Sequence, residues 1–203
     1  MIFETSLIQK IGKEGVLRLR GIKVGIAGAG GLGSNCAANL VRCGFRRFKL
    51  IDFDIVEPSN LDRQFYFADQ VGLVKVDALK KNLTRINPQL DIEALALRIG
   101  EGDGEKIFGD CDVVAECLDR PEAKSQLVSD LLPLGKLIVA VSGLGGYGKT
   151  DQIRVHRITD HLVVVGDLIS DISDYPALSP GVTVSAAKQA DVILEYFMNR
   201  PIG

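Results

Sequence analysis

A chain of 203 residues with 46% hydrophobic content is long enough for one substantial core and is read as a single domain. Its 24 basic and 26 acidic residues leave a net charge of −2, without the broad basic footprint of a nucleic-acid-binding surface, so nucleic acid is not an expected partner. No apolar run approaches the ~20 residues of a membrane span, and the amphipathic opening MIFETSLIQKIGKEGVLRLRG lacks a signal-peptide core, so a cytoplasmic protein without a membrane partner is expected.

Residues 1–20 read as an N-terminal helical segment, 21–146 as a nucleotide-binding core and 147–203 as further strands, a loop and a closing helix. The core opens with Ile22 to Gly44, IKVGIAGAGGLGSNCAANLVRCG, a buried strand, a glycine-rich turn and a helix in succession. Gly28, Gly30 and Gly33 fill G-x-G-x-x-G, with Gly31 beside them. Lack of a Cβ permits the tight turn, close approach of backbone to phosphate and close packing of helix on strand. The free N–H groups at the helix start then suit an anion.

The next strand, FKLIDFDIVEP, ends in Asp52 and Asp54, about 20 residues past the last glycine, where a carboxylate accepts hydrogen bonds from ribose hydroxyls. Asp52 is the expected ribose ligand. PSNLDRQF follows with Asn60, Arg63 and Gln64, and VGLVKVDALKKNLTRINP puts Lys75 at a helix start. Two cations and two amides beside such a loop suit a triphosphate better than the pyrophosphate of a nicotinamide dinucleotide. A dehydrogenase would share the glycine turn but would leave SNLDRQF unexplained.

Further strands are expected near 92–97, 112–117 and 137–141, joining those near 22–27 and 47–51. Helices are expected from Ser34, near Val74 and from Pro121, the last turning Leu127, Leu131 and Leu134 inward. Asp119 follows the buried strand DVVAECL, at the C-terminal sheet edge where α/β ligands gather, although Arg120 is placed to pair with it. QIRVHRI and HLVVVGDLI read as strands of mixed pairing at the sheet edge. The fold class is therefore α/β: Rossmann-like, doubly wound, with a mainly parallel sheet and a mixed C-terminal edge. GLGGYGKT, Gly143 to Thr150, satisfies the P-loop pattern formally, but a strand follows it where that loop requires a helix. ISDISDYPALSPG reads as a long loop, and VTVSAAKQADVILEYFMN as an amphipathic helix burying Ala187, Ala190, Ile193 and Leu194. Cys36, Cys43, Cys111 and Cys117 form no C-x-x-C pair, so no zinc site is expected, and buried apolar roles are assigned to them. His156 and His161 are expected to be non-ligands.

Taken together, GAGGLGS, LIDFD, SNLDRQF, the helix-opening lysine, RINP and ECLDR resemble the ThiF/MoeB superfamily of ubiquitin-like-protein activating enzymes, from about Gly21 to about Gly146 and again in the last helix. The resemblance implies that Asp52 holds the ribose of ATP, that Asn60, Arg63 and Gln64 line the phosphates, that Lys75 sits against the triphosphate and that Asp119 faces Mg²⁺. It implies adenylation of the C-terminal carboxylate of a small ubiquitin-fold sulfur carrier ending in Gly-Gly, with release of pyrophosphate. A carboxylate is already ionised at neutral pH, so no side chain need remove a proton. In-line placement and charge neutralisation by Arg63, Lys75 and the loop N–H groups suffice, with a metal held by Asp119.

Among members of the superfamily, the missing zinc cysteines and short C-terminal half resemble a short ThiF form serving thiamine biosynthesis with a ThiS-like carrier. No cysteine is placed as a sulfur-accepting or thioester residue, so adenylation alone is expected. A homodimer is implied, although the usual N-terminal segment that reaches across to the partner's ATP is altered, leaving Arg18 or Arg20 as stand-ins or as surface residues. The alternatives are a catalytically degenerate module that docks the carrier, and a tRNA-modifying dehydratase of the same superfamily.

Overall fold

The apolar runs of the sequence become the inner strands of one sheet. In the computed structural model, which describes residues 2–171 and 174–199, these are β1 (Lys23–Ala27), β2 (Arg47–Ile51), β3 (Asp91–Leu95), β4 (Val113–Glu116), β5 (Leu137–Val141), β6 (Arg154–Arg157) and β7 (Leu162–Gly166), ordered β3-β2-β1-β4-β5-β7-β6. Neighbours are parallel except β6, which runs antiparallel to β7. The mainly parallel, doubly wound sheet with a mixed C-terminal edge is thus the architecture observed.

Six helices accompany these strands among the described residues: α1 (Ile2–Gly21), α2 (Gly31–Cys43), α3 (Lys75–Ile86), α4 (Gly104–Phe108), α5 (Pro121–Leu131) and α6 (Ser179–Met198). The period of two along each strand divides the core. Val24, Ile26, Phe48, Leu50, Val113, Ala115 and Val139 pack with α2, α3 and α6, whereas Ala27, Ile51, Val114 and Ile138 pack with Phe108 of α4 and Leu127 and Leu131 of α5. Each large apolar side chain so buried contributes roughly 1.5–3 kcal/mol relative to exposure. No helix among the described residues is long and apolar enough to cross a membrane.

Several boundaries differ from those expected. α2 begins at Gly31 instead of Ser34, because the Ser34 N–H already bonds the Gly30 carbonyl. α6 begins at Ser179, so the end of the presumed loop forms its first turn, where Pro180 lacks only an N–H that would be free anyway. Ile172 and Ser173 of that loop lie outside the described residues. The buried face of α6 is also rotated from the expected one. Val182, Ala186, Ala190, Ile193 and Phe197 are covered, while Ala187 is exposed and Leu194 half-buried, because packing on α2 selects the helix face that recurs every three to four positions from Val182. On β6, Val155 stays 38% exposed since this is the sheet's outer strand.

α1 is interrupted at Gly12 (φ 74°, ψ 164°) and packs at the far end of α2 from the glycine turn, with Leu7 and Leu19 against Gly44. Arg18 donates to the carbonyls of Phe197 and Met198, capping α6, and Arg20 pairs with Glu4 at 2.6 Å.

Candidate active site

The C-terminal ends of β1, β2, β4 and β5 open into a cleft of about 670 Å³. It lies where the winding reverses on either side of β1, the place at which parallel α/β sheets take ligands.

One wall is the glycine turn. Gly28 has φ 97°, and a Cβ there would lie 2.7 Å from the Cys117 carbonyl oxygen. A Cβ on Gly33 would lie 1.8 Å from the Gly28 oxygen, so helix and turn meet only because it is missing. At Gly30 a Cβ would meet nothing closer than Gln64 Nε2 at 3.9 Å: here the turn faces open cleft. Gly30 is also the N-cap of α2 and offers no side chain to the first-turn N–H groups, which suit an anion.

Asp52 holds this turn in shape. Its Oδ2 accepts from the Ala29 N–H at 2.7 Å and its Oδ1 from the Asp54 N–H at 2.8 Å. Each oxygen retains a lone pair for a sugar hydroxyl. The buried Tyr66 hydroxyl donates to the Ala29 carbonyl at 2.7 Å, and burial, with the charge of Asp52, pushes it well above the usual phenol range, so it remains a donor.

Arg63, Gln64, Asp54 and Lys75 all line the cleft. Arg63 lays its stem beside Gly31 and donates to Ser59 O at 3.0 Å and Asp62 Oδ1 at 2.7 Å. Gln64 Oε1 is buried without a hydrogen-bond partner among the described residues. The side chain of Lys75 is 8% exposed and meets Asp54 Oδ2 at 3.0 Å. Asn60 is placed differently: its Oδ1 accepts from the Glu57 N–H at 3.0 Å, and its carbonyl accepts from the N–H groups of Arg63 and Gln64. It shapes the turn that presents those two residues and does not line the cleft.

The floor is the turn after β4. Asp119 is exposed there, and its carboxylate makes no hydrogen bond or ion pair among the described residues, including none to Arg120. A lone open carboxylate fits Mg²⁺ that arrives with polyphosphate, because that ion is typically held by one or two carboxylates plus substrate oxygens. No cluster of three or more metal-ligating side chains occurs among the described residues.

Two pairs at the cleft were not singled out from the sequence. Glu116, 0% exposed, lies with Oε1 3.0 Å and Oε2 2.8 Å from Lys124 Nζ, the second contact being ionic without hydrogen-bond geometry. Burial pushes the Glu116 carboxyl up, against the pull of Lys124 and the Leu118 N–H. The available signal was a glutamate ending the apolar strand VVAE and a lysine near a helix N-terminus, where the macrodipole disfavours a cation. Arg98 stacks on Phe53, 3.9 Å from the ring centroid, and the surrounding Ile51, Leu97 and Ile99 make an apolar pocket beside Asp52. No spacing rule links those positions.

Gly143 and Leu144 of the P-loop-like segment line the cleft, but its Lys149 and Thr150 do not. Lys149 lies 5.4 Å from the Tyr175 ring centroid, and Thr150 starts a single 3₁₀ turn, Thr150–Gln152, that leads into β6. His156 Nε2 lies 3.0 Å from the Gly166 carbonyl. The four cysteines are free, and burial raises their thiols, Cys111 to about 12. They are protonated at neutral pH.

A family model described as ThiF family matches residues 4–186. The chain belongs to the ThiF family. An "Adenylyltransferase and sulfurtransferase UBA4" of Candida glabrata is 38% identical over 149 residues, 72% of this chain and 34% of that protein. The protein of the same description from Saccharomyces cerevisiae is 32% identical over the same length. This ThiF-family chain thus spans about a third of these curated relatives. Among solved structures, E. coli tRNA N6-threonylcarbamoyladenosine dehydratase, TcdA, in complex with ATP superposes with a TM-score of 0.87 at 19% identity, covering 96% of this chain and 93% of that one. E. coli MccB with ATP gives 0.72 at 21% identity, covering 91% and 57%. These likenesses establish the shared fold of the ThiF family member described above.

Proposed function

We propose that this chain joins the α-phosphate of ATP to the C-terminal carboxylate of a small ubiquitin-fold sulfur carrier ending in Gly-Gly. The observation that carries the reading is the convergence of an open glycine turn, Arg63, Gln64, Lys75 and Asp119 on one cleft. The apolar pocket of Ile51, Phe53, Leu97 and Ile99 suits a purine, and Asp52 lies beside it for the ribose. An ionised carboxylate oxygen of the carrier attacks the α-phosphorus, the bond to the bridging oxygen breaks, and pyrophosphate leaves with its electron pair. No general base is needed.

The chain's own work is placement and charge. First-turn amides of α2 take phosphoryl oxygens, Arg63 offers a fork of donors, and Lys75 exchanges Asp54 for a phosphate. Gln64 Oε1, unpartnered among the described residues, is available to a ligand donor. Mg²⁺, which Asp119 would hold, supplies further neutralisation of the triphosphate. Tyr147 and Ile169, 80% and 90% exposed on the segments after β5 and β7, offer apolar surface to the carrier. We place the reaction in the cytoplasm, in thiamine thiazole synthesis with a ThiS-like carrier, and in a homodimer. In one chain Arg18 and Arg20 are engaged with α6 and Glu4, so neither serves its own cleft.

A second reading, a tRNA-modifying dehydratase, is favoured by the near-complete mutual coverage with TcdA, although a net charge of −2 gives little to hold tRNA. Incubation of the protein with Mg-ATP and either candidate carriers or modified tRNA separates them. The proposed reading expects carrier-dependent ATP–pyrophosphate exchange and a carrier mass increased by AMP. Binding of Mg-ATP with no exchange for any Gly-Gly-ended carrier would remove it, and the degenerate docking module would take its place.

A further inference from the structure

Among the described residues, partners hold the turn from Glu116 to Asp119 at every residue but the last. Gln189 of α6, 0% exposed, donates through Nε2 to the Glu116 carbonyl at 3.1 Å and to the Val139 carbonyl of β5 at 2.6 Å. The Cys117 N–H donates to the Ala27 carbonyl at 2.9 Å, and its thiol lies 3.4 Å from Gln189 Oε1. Leu118 is gripped on both sides: its N–H donates to Glu116 Oε1 at 2.7 Å, and its carbonyl accepts from Lys124 Nζ at 2.7 Å. Glu116 and Lys124 are in turn joined to each other. Only then does the chain reach Asp119, whose carboxylate stands open in the cleft.

We infer that the Glu116–Lys124 ion pair is a positioning clamp that locks the Leu118 peptide and so presents Asp119 to the metal–nucleotide, with Lys124 itself touching no phosphate. Lys124 lines the cleft and is a cation, which makes it a natural candidate for a third phosphate ligand. Its contacts argue otherwise. Two of the ammonium's three N–H groups donate to Glu116 Oε1 at 3.0 Å and to the Leu118 carbonyl at 2.7 Å, and Glu116 Oε2 lies 2.8 Å away in ionic contact. Turning toward a phosphate would leave a carboxylate of zero exposure without its counter-charge, a far larger loss than the exposed Asp54 suffers when Lys75 turns away. Lys75 and Arg63 are therefore the exchangeable cations, and Lys124 the fixed one.

This inference rests on the nucleotide reading above, so the test separates the two. Lys124→Met leaves Glu116 buried and unpaired, so the double variant Glu116→Leu with Lys124→Met, which removes both charges together, guards against a folding failure. Lys124→Arg keeps the charge. ATP affinity is measured by calorimetry with Mg²⁺ and with EDTA, and amide exchange is followed at Leu118 and Asp119 in the ligand-free protein. The clamp predicts faster exchange at both amides in the double variant. It also predicts loss of the Mg²⁺-dependent part of ATP affinity by about tenfold, as in Asp119→Asn, with Mg-free affinity within about twofold of wild type and with Lys124→Arg largely restored. If the double variant weakens Mg-free ATP as much as Mg-ATP, Lys124 is a phosphate ligand and the clamp is wrong. Unchanged amide exchange would overturn it equally. Wild-type protein that bound no ATP would instead overturn the adenylation reading, while the exchange data would still judge the clamp.

Discussion

Lys75 is tied to Asp54 twice: its N–H donates to the Asp54 carbonyl at 2.9 Å, and its ammonium meets the Asp54 carboxylate at 3.0 Å. The first bond fixes where α3 begins. The second holds a nearly buried cation in the cleft, balanced by a carboxylate that is itself 48% exposed. A polyphosphate, with more negative charge than one carboxylate, competes for that ammonium, and Asp54 can then be solvated where it stands.

Lys75→Met should consequently leave stability within ~1 kcal/mol of wild type, since the abandoned carboxylate is open to water. Exchange of pyrophosphate should fall by about 100-fold or more, as for loss of a charge aimed at a developing anion. Denaturant melts and the exchange assay together check this. A large loss of stability would assign Lys75 to the framework.

Gly30 and Gly33 should separate binding from folding. Gly33→Ala forces a methyl into the Gly28 carbonyl at 1.8 Å and should destabilise by ~1–3 kcal/mol or more. Gly30→Ala finds open space, so its melting temperature should match wild type while thermal protection by ATP is lost.

Asp52→Ala should weaken both properties at once. Two backbone N–H groups, of Ala29 and Asp54, lose their acceptor, at about 1–3 kcal/mol where the group remains buried. Nucleotide affinity should drop in parallel, because the turn that receives phosphate loosens. A drop in affinity with unaltered stability would mean that the turn holds its shape without this carboxylate.

The acid limb of stability should depend on Asp110, far from the cleft. Partial burial pushes this carboxyl up, but Lys23 at 2.5 Å and Lys49 at 2.7 Å outweigh that and hold it well below the usual range, with Glu93 sharing both lysines. A depressed folded-state value stabilises above the ordinary aspartate pKa of ~4 and is lost as pH falls below it. Wild type should therefore exceed Asp110→Asn in stability at neutral pH, and the gap should close below about pH 4. Since Asp110 is 52% exposed, added salt should shrink the gap too.

Lys149→Met should leave ATP affinity within about twofold, in line with a lysine that stacks on Tyr175 outside the nucleotide cleft. A tenfold loss would revive the P-loop reading.

Where side-chain chemistry follows from neighbours along the chain, the residues alone were informative. The glycine turn, the acids ending β2 and the helix opening at Pro121 all depend on contacts within a few positions, and the sheet's apolar runs depend on strand period. Asn60 shows the boundary of that logic. It sits in a motif beside Arg63 and Gln64, yet its amide closes the local turn, a choice set by backbone bonds that composition does not specify.

The sequence by itself determined the order of strands and helices, the glycine turn and the kinds of charge placed after each central strand, because these are written in local periodicity and backbone sterics. The tertiary structure alone decided that Glu116 and Lys124 would neutralise each other, that Arg98 would cover Phe53, that Ala186 and not Ala187 would face the core, and that Asp119 would stay unpaired among the described residues. Those outcomes depend on which distant segments a parallel sheet brings together and on how far each is removed from water. Neither quantity is carried by any short stretch of the chain.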